Sequence, residues 1–146
     1  MNFMKLKSTF LFALAAIATL ASCDKNENIA TPAPVAVEKT VMFEIFSTKD
    51  YSTSYHADQE ATVVLSIRRA DKATMKETVV FDSTFTKLLK DIPLEENQIV
   101  IVKKLPVVAQ NEWVNIGSGS RVGAFSYGSY ESFPEEQLEK KVEIVF

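Results

Sequence analysis

Few side chains in this 146-residue chain have the types and spacing that chemistry requires. There is one histidine, His56, and one cysteine, Cys23. His56 sits in "DYSTSYHADQE" with Asp50, Asp58 and Glu60 close by in sequence. One histidine and carboxylates can hold a transition metal, but no second histidine exists and the spacing matches no ligand set. Calcium held by Asp50, Asp58 and Glu60 would need no histidine, yet the stretch contains no glycine and does not follow the EF-hand pattern. A solvated loop is the simpler reading. Paired carboxylates occur at Glu95-Glu96 and Glu135-Glu136. Glycoside hydrolysis needs two carboxyls facing each other across a cleft, with their pKa values driven apart. Adjacent residues in polar segments seldom meet that need, so solvated turn charges are expected. Ser52, Ser54 and Ser118 belong to no triad signature, and "GSGSRVG" is neither a nucleophile elbow nor a phosphate loop. It reads as a glycine turn linking two strands. The expectation is no catalytic residue, no metal and no cofactor. A small hydrolase or metal-dependent enzyme ranks third among the functional readings.

Aromatic residues are the more promising group. "WVNIGSGSRVGAFSYGSYESF" carries Trp113, Phe125, Tyr127, Tyr130 and Phe133, and an earlier loop carries Tyr51 and Tyr55. Exposed Tyr and Trp can stack on sugar rings or anchor a protein partner. The plainer account puts Trp113, Phe125 and Phe133 in the core and lets the tyrosines suit strands. Tyr51, Tyr55, Tyr127 and Tyr130 are the binding candidates.

The cysteine belongs to a different kind of chemistry. "MNFMKLK" carries Lys5 and Lys7 without an acid, and "STFLFALAAIATLAS" follows, apolar except for hydroxyl residues. A basic start, a short apolar core and small residues before a cut describe a secretory signal peptide. The apolar run falls short of the roughly 20 residues that span a bilayer. The next residues, Leu20-Ala21-Ser22-Cys23, resemble at every position the lipobox of bacterial lipoproteins. That resemblance covers only the first 23 residues. It implies a diacylglycerol thioether on Cys23, cleavage before it and acylation of the new amino group, with palmitate among the acyl chains. One acyl chain binds a membrane marginally, whereas two or three hold it in effect permanently. A lipidated Cys23 also leaves no free thiol for a disulfide, a nucleophile or a metal. Asp24 and Glu27, interrupted by Lys25, resemble acidic sorting signals only loosely; the expected address is the outer membrane of a Gram-negative bacterium, its surface or periplasmic face undecided.

Charge supports this placement. Removing Lys5 and Lys7 from the 16 Lys and Arg leaves 14 against 19 Asp and Glu. An acidic balance argues against nucleic acid as a partner and against adhesion to anionic headgroups. Residues 24–38, "DKNENIATPAPVAVE", are polar and then Ala/Thr/Pro-rich, with Pro32 and Pro34 favouring extended backbone. The expected organisation is a signal peptide over 1–22, the lipidated cysteine and tether over 23–38, and one domain over 39–146.

That domain alternates with period two. "KTVMFEIFS" puts Val41, Phe43 and Ile45 on one face, and "ATVVLSIRR" does the same with Val63, Leu65 and Ile67. "ETVVFD", "NQIVIVKKL", "SRVGAFSYG" and "KKVEIVF" complete six strand candidates rich in residues that suit a half-buried pleated surface. "NIGSGS" reads as a loop, "STFTKLLKDIP" as one helical turn before Pro93, and "FPEEQLEKK" as a short helix or turn. The fold class is all-β: an antiparallel β-sandwich of six or seven strands, preceded by a signal helix and a flexible tether. The pattern is similar to immunoglobulin-like and prealbumin-like modules, without the Cys…Trp…Cys arrangement of antibody domains. The functional expectation is an anchored, non-catalytic binding, adhesion or assembly module at the cell envelope. The alternative is a glycan-binding accessory lipoprotein of an outer-membrane uptake system. The expected partners are the membrane, through lipid on Cys23, and an envelope protein or glycan.

Overall fold

A computed structural model describes residues 33–146; the signal peptide and Cys23 lie outside the described residues. Seven strands form two sheets: β1 (Val37–Phe46), β2 (Glu60–Asp71), β3 (Glu77–Leu88), β4 (Ile99–Val107), β5 (Glu112–Val122), β6 (Phe125–Ser132) and β7 (Glu139–Val145). One sheet has three strands in the order β4-β1-β7 and the other four in the order β3-β2-β5-β6. All neighbours are antiparallel except β1 and β7, which run parallel. In an antibody constant domain the first, second, fourth and fifth strands share a sheet. Here the first and fourth are in one sheet and the second and fifth in the other. The partition therefore departs from that of the antibody constant domain.

Alternation builds the core as expected. Val41, Phe43 and Ile45 of β1 face Val63, Leu65 and Ile67 of β2, and all six are buried. Val114 and Ile116 of β5, Leu105 and Val107 of β4, and Val142 and Ile144 of β7 close the same cluster. Fully burying each such side chain contributes about 1.5–3 kcal/mol. Phe43 and Phe81 meet with ring centroids 6.2 Å apart, joining β1 to β3. Lys103 of β4 lies 4.3 Å above the same Phe81 ring.

Several local expectations are corrected. "SRVGAFSYG" is not one strand: Gly123 and Ala124 turn the chain between β5 and β6. Gly123 has φ +58°, the positive value that a two-residue type II′ hairpin needs at its first loop position. "NIGSGS" is not a loop but the middle of β5. Its Gly117 lies opposite Tyr130 of β6, and a Cβ there would fall 2.4 Å from the Ser66 hydroxyl. The glycine is required by this close approach, not by a turn. "STFTKLL" continues β3 to Leu88, and only Leu89–Asp91 makes a 3-10 turn. The strand also begins earlier than composition suggests, because Val37 and Glu38 pair with Val107 and Pro106.

A buried lysine shapes one end of the molecule. Lys39 points inward from β1 and is 3% exposed. Its ammonium donates to the carbonyls of Pro134, Glu135 and Gln137 at 2.6, 3.0 and 2.8 Å and lies 4.3 Å over the Phe133 ring. Burial pushes this ammonium below its ordinary pKa, and the Glu135 and Glu136 carboxylates partly offset the shift. The Lys39 clasp fixes the connection between β6 and β7, with "FPEEQL" forming a turn.

Candidate functional site: an aromatic groove at the β6–β7 side

Sheet arithmetic creates the site. β4 packs toward β3, β7 lies across from β5, and β1 lies between β4 and β7, packing its apolar face on the four-stranded sheet. The three-stranded sheet then ends, and among the described residues no strand lies opposite the Phe125 end of β6. The inward-facing positions of β6 include Phe125 and Tyr127, which pair with Val122 and Ser120 of β5. They point to the interior side yet are 84% and 75% exposed. Next to them β5 carries Ser118 and Ser120 in place of the larger Val114 and Ile116. Small side chains beneath and no strand above leave a groove of about 410 Å³. That volume falls within the range of small-molecule sites.

Tyr51, Val122 and Phe146 pack on the small cluster that holds Leu89, and with Phe125 and Tyr127 they line the groove. Lys49, His56, Gln59 and Ser126 supply its polar groups. Among the described residues no Asp or Glu side chain lines it. Local hydrogen bonds hold the loop that carries Tyr51 and His56. Ser54, Ala57 and Gln59 donate N–H to the carbonyls of Tyr51, Ser54 and His56 in three successive turns. Leu89 and Lys90 donate N–H to Gln59 and Ala57, docking the loop on the 3-10 turn after β3. The Lys49 ammonium lies 4.8 Å over the Tyr51 ring. Tyr55 stacks edge-on against His56 with centroids 5.5 Å apart.

The sequence candidates divide accordingly. Tyr51 and Tyr127 meet in the groove. Tyr55 stands beside it, on His56 and almost wholly exposed. Tyr130 lies on the opposite face of the four-stranded sheet. There it crosses Gly117 and donates its hydroxyl to Glu77 Oε1 at 3.1 Å. Glu77 also faces Arg68 at 3.6 Å and Asn115 at 3.4 Å. Tyr130 is thus held in a polar network away from the other three. Phe125, expected in the core, is instead a groove wall, and Trp113 is only half-buried. Phe133 is buried, as expected. Sequence reasoning missed Phe146 and the polar trio Lys49, Gln59 and Ser120. The serine at an inward β5 position was a signal, but only once the strand's extent was known.

The carboxylates weighed for catalysis or for metal binding lie apart from one another. Glu135 pairs with Lys72, whose ammonium holds its carboxyl below the usual range. Asp58 pairs with Lys90 at 2.7 Å. Asp50 accepts the Ser52 N–H at 2.8 Å, which lowers its pKa. Glu95 and Glu96 lie exposed in a 3-10 turn, Glu95–Asn97. Among the described residues no three His, Cys, Asp or Glu side chains converge, and no helix is long and apolar enough to cross a membrane.

Fold and groove together define a seven-stranded β-sandwich with one overhanging, aromatic edge strand. The chain matches no family model, no curated protein and no solved structure.

Proposed function

We propose that this protein is a cell-envelope lipoprotein, acylated at Cys23, whose sandwich is a non-catalytic binding module that holds its partner in the β6–β7 groove. The observation that carries the binding role is the exposure of Phe125 and Tyr127 on the interior-facing side of β6. Two large aromatics left uncovered beside Tyr51 and Phe146 form a concave apolar surface with a few polar groups, the usual make-up of a ligand site. Its lining offers no pair of Asp or Glu side chains of the kind that glycoside hydrolysis uses.

Topology supports the anchored reading. The chain enters the domain at Val37, and β1 and β7 run parallel with Thr40 opposite Glu139 and Phe46 opposite Val145. The groove therefore lies at the Val145 end, about 33 Å along β1 from the point of entry. A lipid on Cys23, attached through that entry point, leaves the groove open to a partner. The outer membrane of a Gram-negative cell is the proposed address, on the strength of Leu20-Ala21-Ser22-Cys23 and its preceding signal.

A second reading, capture of a glycan for an uptake system, is favoured by one observation. Tyr51, Phe125 and Tyr127 offer ring faces beside the hydrogen-bonding Gln59 and Ser120.

The test has two arms. Metabolic labelling with a palmitate analogue should mark the wild type and not Cys23→Ala; equal labelling would reject the anchor. Capture from its own envelope should retain a partner with the wild type and lose it with Phe125→Ala/Tyr127→Ala. Undiminished capture by that double variant would reject the groove as the binding site.

A further inference from the structure

We infer that the open edge of β7 receives a single extended polypeptide strand from a partner protein, which completes the shorter sheet and covers Phe125 and Tyr127. This inference rests on the groove reading and names the class of its partner. The first support is backbone accounting. Thr40 donates its N–H to the carbonyl of Leu138, Phe146 donates to Phe46, and Thr48 donates to Phe146. Even-numbered residues along β7 and its flanks thus turn their backbone groups toward β1. Glu139, Lys141, Glu143 and Val145 turn theirs outward, and among the described residues β7 has no strand neighbour on that side. Each offers one donor and one acceptor to an added strand.

The second support is fit. β7 stops one strand short of β6, and sheet neighbours are about 4.8 Å apart. The vacant position is therefore one strand wide, with β7 beside it and the aromatic face of β6 across from it. Inward side chains of an added strand would meet Phe125 and Tyr127, so one occupant would satisfy both the unpaired edge and the uncovered rings. A sugar would satisfy the rings alone. A second copy does not fit: a twofold pairing of β7 with β7 would drive the two overhanging β6 strands into the same space.

The third support is length and charge. Lys140 of β7 and Glu131 of β6 meet at 3.0 Å and close the seam at its Glu139 end. The open length runs from Lys141 to Val145, room for about five residues of strand. At its far end the ionisable side chains of the lining, tyrosine apart, are Lys49 and His56, in an acidic chain. The geometry points to a segment apolar at alternate positions, with a carboxylate where it reaches Lys49 and His56.

The experiment measures amide exchange by NMR on the full-length protein in detergent. The probes are a synthetic Asp-Val-Thr-Val-Thr-Val-Thr peptide, its analogue N-methylated at alternate amides, and a cellohexaose. The unmodified peptide should slow exchange at Lys141, Glu143 and Val145 about tenfold or more, and the methylated analogue should not. Glu143→Pro removes an N–H that no β1 carbonyl uses, so it should weaken the peptide about tenfold with an unchanged melting curve. Equal binding of the methylated analogue, or unslowed edge amides at millimolar peptide, would overturn the strand. So would protection that rises with protein concentration in the absence of peptide, which would assign the edge to a second copy. Cellohexaose shifting the Tyr51 and Tyr127 signals while the edge amides stay fast would also overturn it, leaving the groove itself intact. The groove reading fails separately, through undiminished envelope capture by Phe125→Ala/Tyr127→Ala.

Discussion

β5 and β6 are neighbours in one sheet, joined by a two-residue turn, and both place large apolar side chains on the interior-facing side. Their fates differ. Ile116 of β5 is 1% exposed, whereas Phe125 of β6 is 84% exposed. The residue types do not explain the contrast, because Phe is at least as apolar as Ile. What differs is the opposite sheet: β7 lies over β5, and among the described residues no strand lies over Phe125. Alternation reports which face a side chain occupies. Coverage depends on how many strands the facing sheet has, and that is a property of the whole fold.

The sharpest break of this comparison is a truncation on each strand. Ile116→Ala empties a fully packed site and should cost about 2–5 kcal/mol in urea denaturation. A loss under 1 kcal/mol would show that β7 does not seal β5. The next largest effect concerns the clasp that holds β7 in place. Lys39→Met leaves three carbonyls without their ammonium donor and should cost about 1–3 kcal/mol, read by the same denaturation. Phe125→Ala/Tyr127→Ala should change stability by only about 0.5 kcal/mol, since the rings are already in water. A loss as large as that of Ile116→Ala would place those rings in a core and remove the distinction between the two strands.

The smallest effect lies in the β2–β3 hairpin, far from the groove, and serves as a baseline. Asp71 Oδ1 accepts the Thr74 hydroxyl and N–H at 2.8 and 2.7 Å and the Ala73 N–H at 3.1 Å. These bonds, Thr74's first, lower its pKa below 3.8. A carboxyl whose pKa falls on folding stabilises the native state above its unfolded value, and that contribution fades as pH drops through the folded value. The stability difference between wild type and Asp71→Ala should therefore be constant near neutrality and shrink below about pH 4. A difference that grows on acidification would contradict the hydrogen-bonded turn.

The sequence was most legible where the physics is local. Period-two alternation in "KTVMFEIFS", "ATVVLSIRR" and "KKVEIVF" marked inward and outward faces that the sandwich keeps, because a strand's side chains must alternate whatever it packs against. The pleated, Val/Ile/Phe-rich character of residues 39–146 was enough to announce an all-β domain. Turn chemistry misled at "GSGSRVG", since glycine serves both turns and close strand contacts. Here Gly117 makes room for Ser66 and Tyr130, and only Gly123 turns. Tyr51 and Tyr127 were legible as candidates by residue type, but their company was not. Strand order decided that Tyr127 would join Tyr51, Lys49 and His56 while Tyr130, three residues on, would cross to Glu77 on the other face. The sequence by itself determined which residues alternate along each strand. Only the tertiary structure decided that one sheet would stop a strand early, because sheet width comes from long-range pairing that no local pattern encodes.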